Sequence, residues 1–104
     1  MKSLNQDQIK LMSQNIKPHN IVFCSTTPVD YEMSRIILIE DVPEINEKYI
    51  VVEGSHCSCY GFEEIAWYAT TYTKNELLKL ANTSWSNSYD NEKILADFIK
   101  VYLE

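Results

Sequence analysis

Two glycines in 104 residues exclude a good deal of chemistry. Phosphate loops and dinucleotide fingerprints each need several glycines at fixed spacing, so that the backbone can close on a phosphate, and neither motif is present. Nucleotide enzymes of the common kinds are thereby set aside. Long apolar runs are also missing. No stretch approaches the roughly 18 apolar residues of a membrane helix, and Met1-Lys2-Ser3-Leu4-Asn5-Gln6 is polar where a signal peptide carries its apolar run. The expectation is a cytoplasmic protein without a membrane partner. Three cysteines are too few, and odd in number, for a secreted disulfide scaffold, which favours reduced thiols or metal ligands. No low-complexity segment or internal repeat is visible, and 45% hydrophobic residues suffice for one folded domain spanning residues 1–104.

Basic residues are scarce in the middle of the chain. Between residues 30 and 64 nine acids (Asp30, Glu32, Glu40, Asp41, Glu44, Glu47, Glu53, Glu63, Glu64) face two bases (Arg35, Lys48), a local charge of −7, whereas the remainder carries +1. Phosphate backbones are repelled by such a segment, which argues against direct nucleic-acid binding. A basic or nucleic-acid-binding protein would be steered toward it, and the acids would in one version mimic nucleic acid. The same charges would also suit a solvated sheet edge kept from pairing with other strands.

The element pattern is that of an α+β domain. Ser3 and Gln6 fit a capping box ahead of Leu4, Ile9, Met12 and Ile16, predicting a helix from about Leu4 to Ile16 that ends at Lys17-Pro18. Ile21-Val22-Phe23-Cys24, Arg35-Ile36-Ile37-Leu38-Ile39 and Tyr49-Ile50-Val51-Val52 are unbroken apolar runs rich in β-branched residues, hence strands covered on both faces or nearly so. Thr26 to Asp30 reads as the turn after the first of them. A fourth strand, Ile65 to Tyr72, places Ile65, Trp67 and Ala69 on one face and Tyr68, Thr70 and Tyr72 on the other. Thr73-x-x-Glu76 is a second capping box and predicts a helix over Lys74 to Ala81; Trp85 in the polar stretch that follows reads as a plug over the core. A last helix starts near Asp90 with Ile94, Leu95, Phe98, Ile99 and Tyr102 as its apolar stripe. Grouped strands flanked by helices predict a mostly antiparallel sheet of about four strands, packed by one N-terminal and two C-terminal helices.

Both glycines lie in Gly54-Ser55-His56-Cys57-Ser58-Cys59-Tyr60-Gly61, together with two of the three cysteines. Positive φ at Gly54 and Gly61 would let the residues between them form a tight excursion, in the simplest case a packed turn. A sharper reading is zinc, held by His56, Cys57, Cys59 and Cys24 with His19 as a substitute, although the spacing is Cys-x-Cys rather than Cys-x-x-Cys. Thiol catalysis by Cys57 or Cys59, with His56 as base and Glu53 or Glu63 orienting it, is disfavoured because neighbouring acids raise a thiol pKa. Recognition through Tyr60, Phe62, Trp67 and Tyr68 is the remaining reading, since aromatics offer much apolar area at small rotamer cost.

The string Glu53-Gly54-Ser55-His56-Cys57-Ser58-Cys59-Tyr60-Gly61-Phe62, followed by Trp67 and Thr70-x-Tyr72-Thr73, resembles small phage and prophage proteins of unknown function that carry a G-x-H-C-S-C-Y-G core. The resemblance covers roughly residues 53–80 and implies a phage or prophage setting, in the host cytoplasm, with an accessory role and no assigned activity. The expected function is accordingly a non-enzymatic binder of a host or phage protein, a modulator of host defence in that setting. Its binding residues would be Glu40, Asp41, Glu44 and Glu47 with Tyr60, Phe62, Trp67 and Tyr68, and no cofactor is needed. The alternative is a zinc or thiol protein built on the His-Cys-x-Cys loop.

Overall fold

A computed structural model describes residues 2–29, 32–43, 45–57, 67–88 and 91–103, with residues 27–29, 32, 33 and 55–57 described by their backbone. Its strands are β1 (Lys2–Ser3), β2 (Ile21–Val29), β3 (Glu32–Glu40), β4 (Tyr49–Cys57) and β5 (Tyr68–Tyr72), and its helices α1 (Gln6–Asn15), α2 (Lys74–Asn82) and α3 (Asn91–Tyr102). The strands form one sheet in the order β1-β5-β4-β3-β2, and each neighbouring pair is antiparallel. The α+β class with an antiparallel sheet and three helices is as expected; the fifth strand, β1, is an addition.

Alternation along β3 and β4 splits the apolar runs between two cores. Ile36, Leu38, Tyr49 and Val51 face α2 and α3 and pack with Leu77, Ala81, Leu95 and Ile99. Ile39, Ile50 and Val52 face the other way, beneath α1 with Ile9 and Met12. Both faces of the central strands are therefore covered, which is why β3 and β4 lack the apolar-polar alternation of a one-sided sheet. The faces of β5 follow the expected division, with Ala69 and Trp67 toward α1 and Tyr72 toward α2. The Thr73–Glu76 box caps α2 as expected.

Several boundaries move, each for a local reason. The α1 box is made by Asn5 and Gln8, with Gln8 N–H donating to Asn5 Oδ1 at 2.8 Å and Asn5 N–H to Gln8 Oε1 at 2.9 Å. Ser3, two residues earlier, is instead taken into β1 opposite Thr70. The expected turn from Thr26 is replaced by strand to Val29, and Pro28 is tolerated there because β2 is an edge strand. β4 likewise runs on through Gly54 to Cys57, with Gly54 paired to Arg35. Among the described residues no glycine has positive φ, and Asp41, at 58°, is the residue that does. Gly61 lies outside the described residues.

Among the described residues, the acids of the middle segment do not lie on a sheet edge. Glu40 and Asp41 enter the connection between β3 and β4, both inner strands, whereas the edges are β1 and β2. Asn20, 3% exposed, ties this connection down by donating from Nδ2 to the Glu40 and Asp41 carbonyls at 3.0 and 3.3 Å. Its Oδ1 accepts the Lys17 N–H at 2.8 Å.

Candidate functional site

The residues expected to form one binding surface are divided by the register. Glu40, Asp41 and Glu47 sit at the end of the sheet where Tyr49 pairs with Tyr72. Tyr68 pairs with Glu53, four residues further along β4 and so about 13 Å away. Trp67 and Tyr68 then part company across the sheet. Trp67 is half-buried in an apolar groove of about 190 Å³ between α1 and the sheet, with Ile16, Ile37 and Val52 among its walls. Tyr68, 68% exposed, stands on the α2/α3 side. Glu44, Tyr60 and Phe62 lie outside the described residues.

What the fold does assemble is a cleft of about 270 Å³ on the α2/α3 side, where the first turn of α3 meets β3, β4 and β5. Glu53, Tyr68 and Glu92 line it, with Ser34 and Asn91 at its base. Asn91 is 4% exposed and fixes this corner. Its Nδ2 donates to the Ser34 carbonyl at 2.9 Å and to Ser34 Oγ at 3.0 Å, and its Oδ1 accepts from Ser25 Oγ at 2.8 Å. Arg35 of β3 also contributes to the lining, and its Nε donates to Thr26 Oγ1 at 2.9 Å. Partial positive charge at the α3 N-terminus is offset by Glu92 in the same turn.

The electrostatics of this face register on its tyrosines. Burial pushes the Tyr72 hydroxyl above its ordinary value of 10.0; a hydrogen bond with Thr70 opposes the rise, and the Glu53, Glu92 and Glu76 carboxylates add to it. Tyr102 is also raised, chiefly because its hydroxyl donates to Glu40 Oε1 at 2.9 Å and would lose that bond on ionising. A raised acid pKa means that the folded state holds its proton longer than the unfolded chain does. The resulting stabilisation is fully present below about pH 10 and is lost as pH climbs through the unfolded and then the folded value. Alkaline denaturation is therefore expected to begin near pH 10, and Tyr102→Phe, followed by spectrophotometric titration at fixed denaturant, is expected to remove part of that pH dependence.

The backbone register sets Cys24 apart from His56 and Cys57. Cys24 is free and exposed on β2, opposite Ile37. His56 and Cys57 extend β4 opposite Met33 and Glu32, so β3 lies between them and β2. With strands about 4.8 Å apart and about 3.4 Å per residue, Cys24 and His56 are separated by about 16 Å along the sheet. Zinc ligands need donor atoms within about 4 Å of one another, so the register does not bring Cys24 to His56 and Cys57 in one chain. Cys59 lies outside the described residues, and His19 sits in the 3₁₀ turn Pro18–Asn20 before β2. Among the described residues no three His, Cys, Asp or Glu side chains gather as a metal-holding group.

Sequence reasoning did not find the cleft, because Ser34, Glu53, Asn91 and Glu92 come from three separate elements and none carries a motif. Asn91 in particular reads as an ordinary helix-start residue. Among the described residues no helix is long and apolar enough to cross a membrane. Comparison with protein-family models, curated proteins and solved structures finds no match to this chain.

Proposed function

We propose that this chain is a small non-enzymatic binding protein, phage- or prophage-encoded, that captures a basic segment of a host or phage protein and so modulates it. The observation that carries this reading is the cleft, whose lining joins two carboxylates, Glu53 and Glu92, with the exposed ring of Tyr68 against one cationic residue, Arg35, a net negative balance. A lysine or arginine side chain inserted there would meet both an aromatic face and negative charge, each favourable to a cation. The acidic connection at Glu40, Asp41 and Glu47 supplies a second attraction at the far end of the sheet, suited to steering rather than seating the partner. The phage setting rests on the resemblance over residues 53–80, and modulation of a host defence protein is the role that setting suggests.

The test is binding of a labelled lysine- and arginine-rich peptide, read by fluorescence anisotropy. Glu53→Lys, Glu92→Lys and Tyr68→Ala are each expected to weaken binding by about tenfold or more, and added salt to weaken it further. Charge reversal at Glu40, Asp41, Glu44 and Glu47 is expected to slow association more than it speeds dissociation. Binding that survives all three cleft substitutions would remove the cleft from the proposal; a wild type with no affinity for basic peptides would remove the proposal itself.

A further inference from the structure

The two edges of the sheet are built differently. β1 is two residues long and includes Lys2, a short and charged edge of the kind that resists pairing with another chain. β2 is nine residues long, Ile21-Val22-Phe23-Cys24-Ser25-Thr26-Thr27-Pro28-Val29, and carries no charge at all. In a chain of net charge −6 this is the edge strand from which protective charge is missing; Pro28 near one end and a register irregularity between Ile21 and Phe23 at the other are its guards.

The helix beside that edge is apolar on the same side. Leu95 and Ile99 fill the core, but Ile94, Val101 and Tyr102 are 46%, 82% and 44% exposed. These residues with Phe98 fall at i, i+4, i+7 and i+8, one continuous flank of α3. Phe98 orients that flank toward β2, because its ring stacks on Phe23 at 4.7 Å, and Tyr102 stacks on Phe98 in turn at 5.2 Å. The expected apolar stripe of α3 is thus wider than its core requires, and the surplus lies next to the uncharged edge.

We infer that this flank is an interface between two copies of the chain, with β2 paired antiparallel to the partner's β2 and the two α3 helices packed across the same two-fold axis. A two-fold axis along the sheet normal makes strand pairing antiparallel and sets both helices on the same side, so one operation satisfies both surfaces. The absence of charge suits such a seam: about the two-fold axis each residue of β2 off the axis faces a different residue of the partner strand, and an uncharged strand leaves no charge to be desolvated without an opposite charge across from it. The size is adequate. A strand of nine residues is about 30 Å long, and sheet plus helix layer is about 20 Å thick, giving about 600 Å² per copy, the lower end for a specific interface. No residue of β2 lines the cleft, and the dimer would present two such clefts.

Sedimentation velocity over a concentration series tests this with the full chain. The wild type is expected to reach twice its 12.1 kDa chain mass, and to associate more tightly as salt is raised, since the seam is uncharged while the copies repel at long range. Val101→Glu, at a position exposed enough to leave the fold intact, and Cys24→Lys on the strand are each expected to raise the dimer dissociation constant by about tenfold or more. Far-UV circular dichroism identifies any variant that fails to fold, and Val101→Glu carries the test if Cys24→Lys does so. A wild type at monomer mass at every concentration overturns the inference, as does a dimer unchanged in the folded variants or one that salt dissociates.

Discussion

Trp85→Ala is expected to lower the unfolding free energy by about 3–5 kcal/mol. Trp85 is 7% exposed in a 3₁₀ turn, Trp85–Asn87, between α2 and α3. Its ring meets Tyr72 edge-to-face, 5.9 Å between centroids, and it belongs to the core that holds Leu77, Ala81 and Leu95. Truncation removes the indole from a place where two helices and the sheet converge, and none of these can collapse to fill it without moving the others. For a domain of this size, total stability is about 5–15 kcal/mol, so the loss is expected to lower the midpoint of thermal unfolding by more than about 12 °C. Trp67→Ala provides the contrast. Its ring borders an open groove and is only half-buried, so about 2 kcal/mol is expected. Urea unfolding followed by circular dichroism compares the two, and equal losses would mean that Trp85 is not the plug its burial indicates.

That role for Trp85 was legible in the sequence, and the reason is general to this chain. A lone large aromatic among Asn82, Thr83, Ser84, Ser86, Asn87 and Ser88 has no neighbour to share an apolar surface with, so the core is the favourable place for it. The same holds for Thr73-x-x-Glu76 before Leu77 and Leu78, where a capping pattern and an apolar pattern agree on one boundary. At the first helix the sequence pointed to Ser3-x-x-Gln6, and the box that forms is Asn5-x-x-Gln8. Pairing of Lys2 and Ser3 with β5 takes Ser3 out of the cap, and no local pattern reveals a pairing partner some 70 residues away. Strand extension through Gly54 and Pro28 was hidden for the same reason: both residues read as breakers, and only a neighbouring strand, or an edge position, makes them acceptable. The acidic segment shows the limit for function. Its charge was plain, but strand order put Glu40 and Asp41 at the end of inner strands and put Glu53 in the cleft beside Tyr68.

Asn91→Leu, a near-isosteric change, is expected to cost about 2–4 kcal/mol, because it removes no volume but strands several polar groups. The Ser34 carbonyl and hydroxyl lose the Nδ2 donor, and Ser25 Oγ loses its acceptor, all at a side chain that is 4% exposed. Asn91→Asp separates the contributions. It keeps an acceptor for Ser25 and adds negative charge at a helix start, both favourable, but sets a carboxylate against the Ser34 carbonyl. An intermediate loss is therefore expected, and a double-mutant cycle of Asn91→Leu with Ser34→Ala is expected to show coupling of about 1 kcal/mol or more. The bonds also decide where the first turn of α3 sits, and that turn carries Glu92 into the cleft. Asn91→Leu is thus expected to weaken binding of the basic peptide even in conditions where the variant is fully folded, whereas Trp85→Ala, at a residue that does not line the cleft, is expected to weaken it only by the fraction unfolded. If both variants lose affinity in step with stability, the corner held by Asn91 serves the fold alone, and the positioning of Glu92 in the proposed site loses its support.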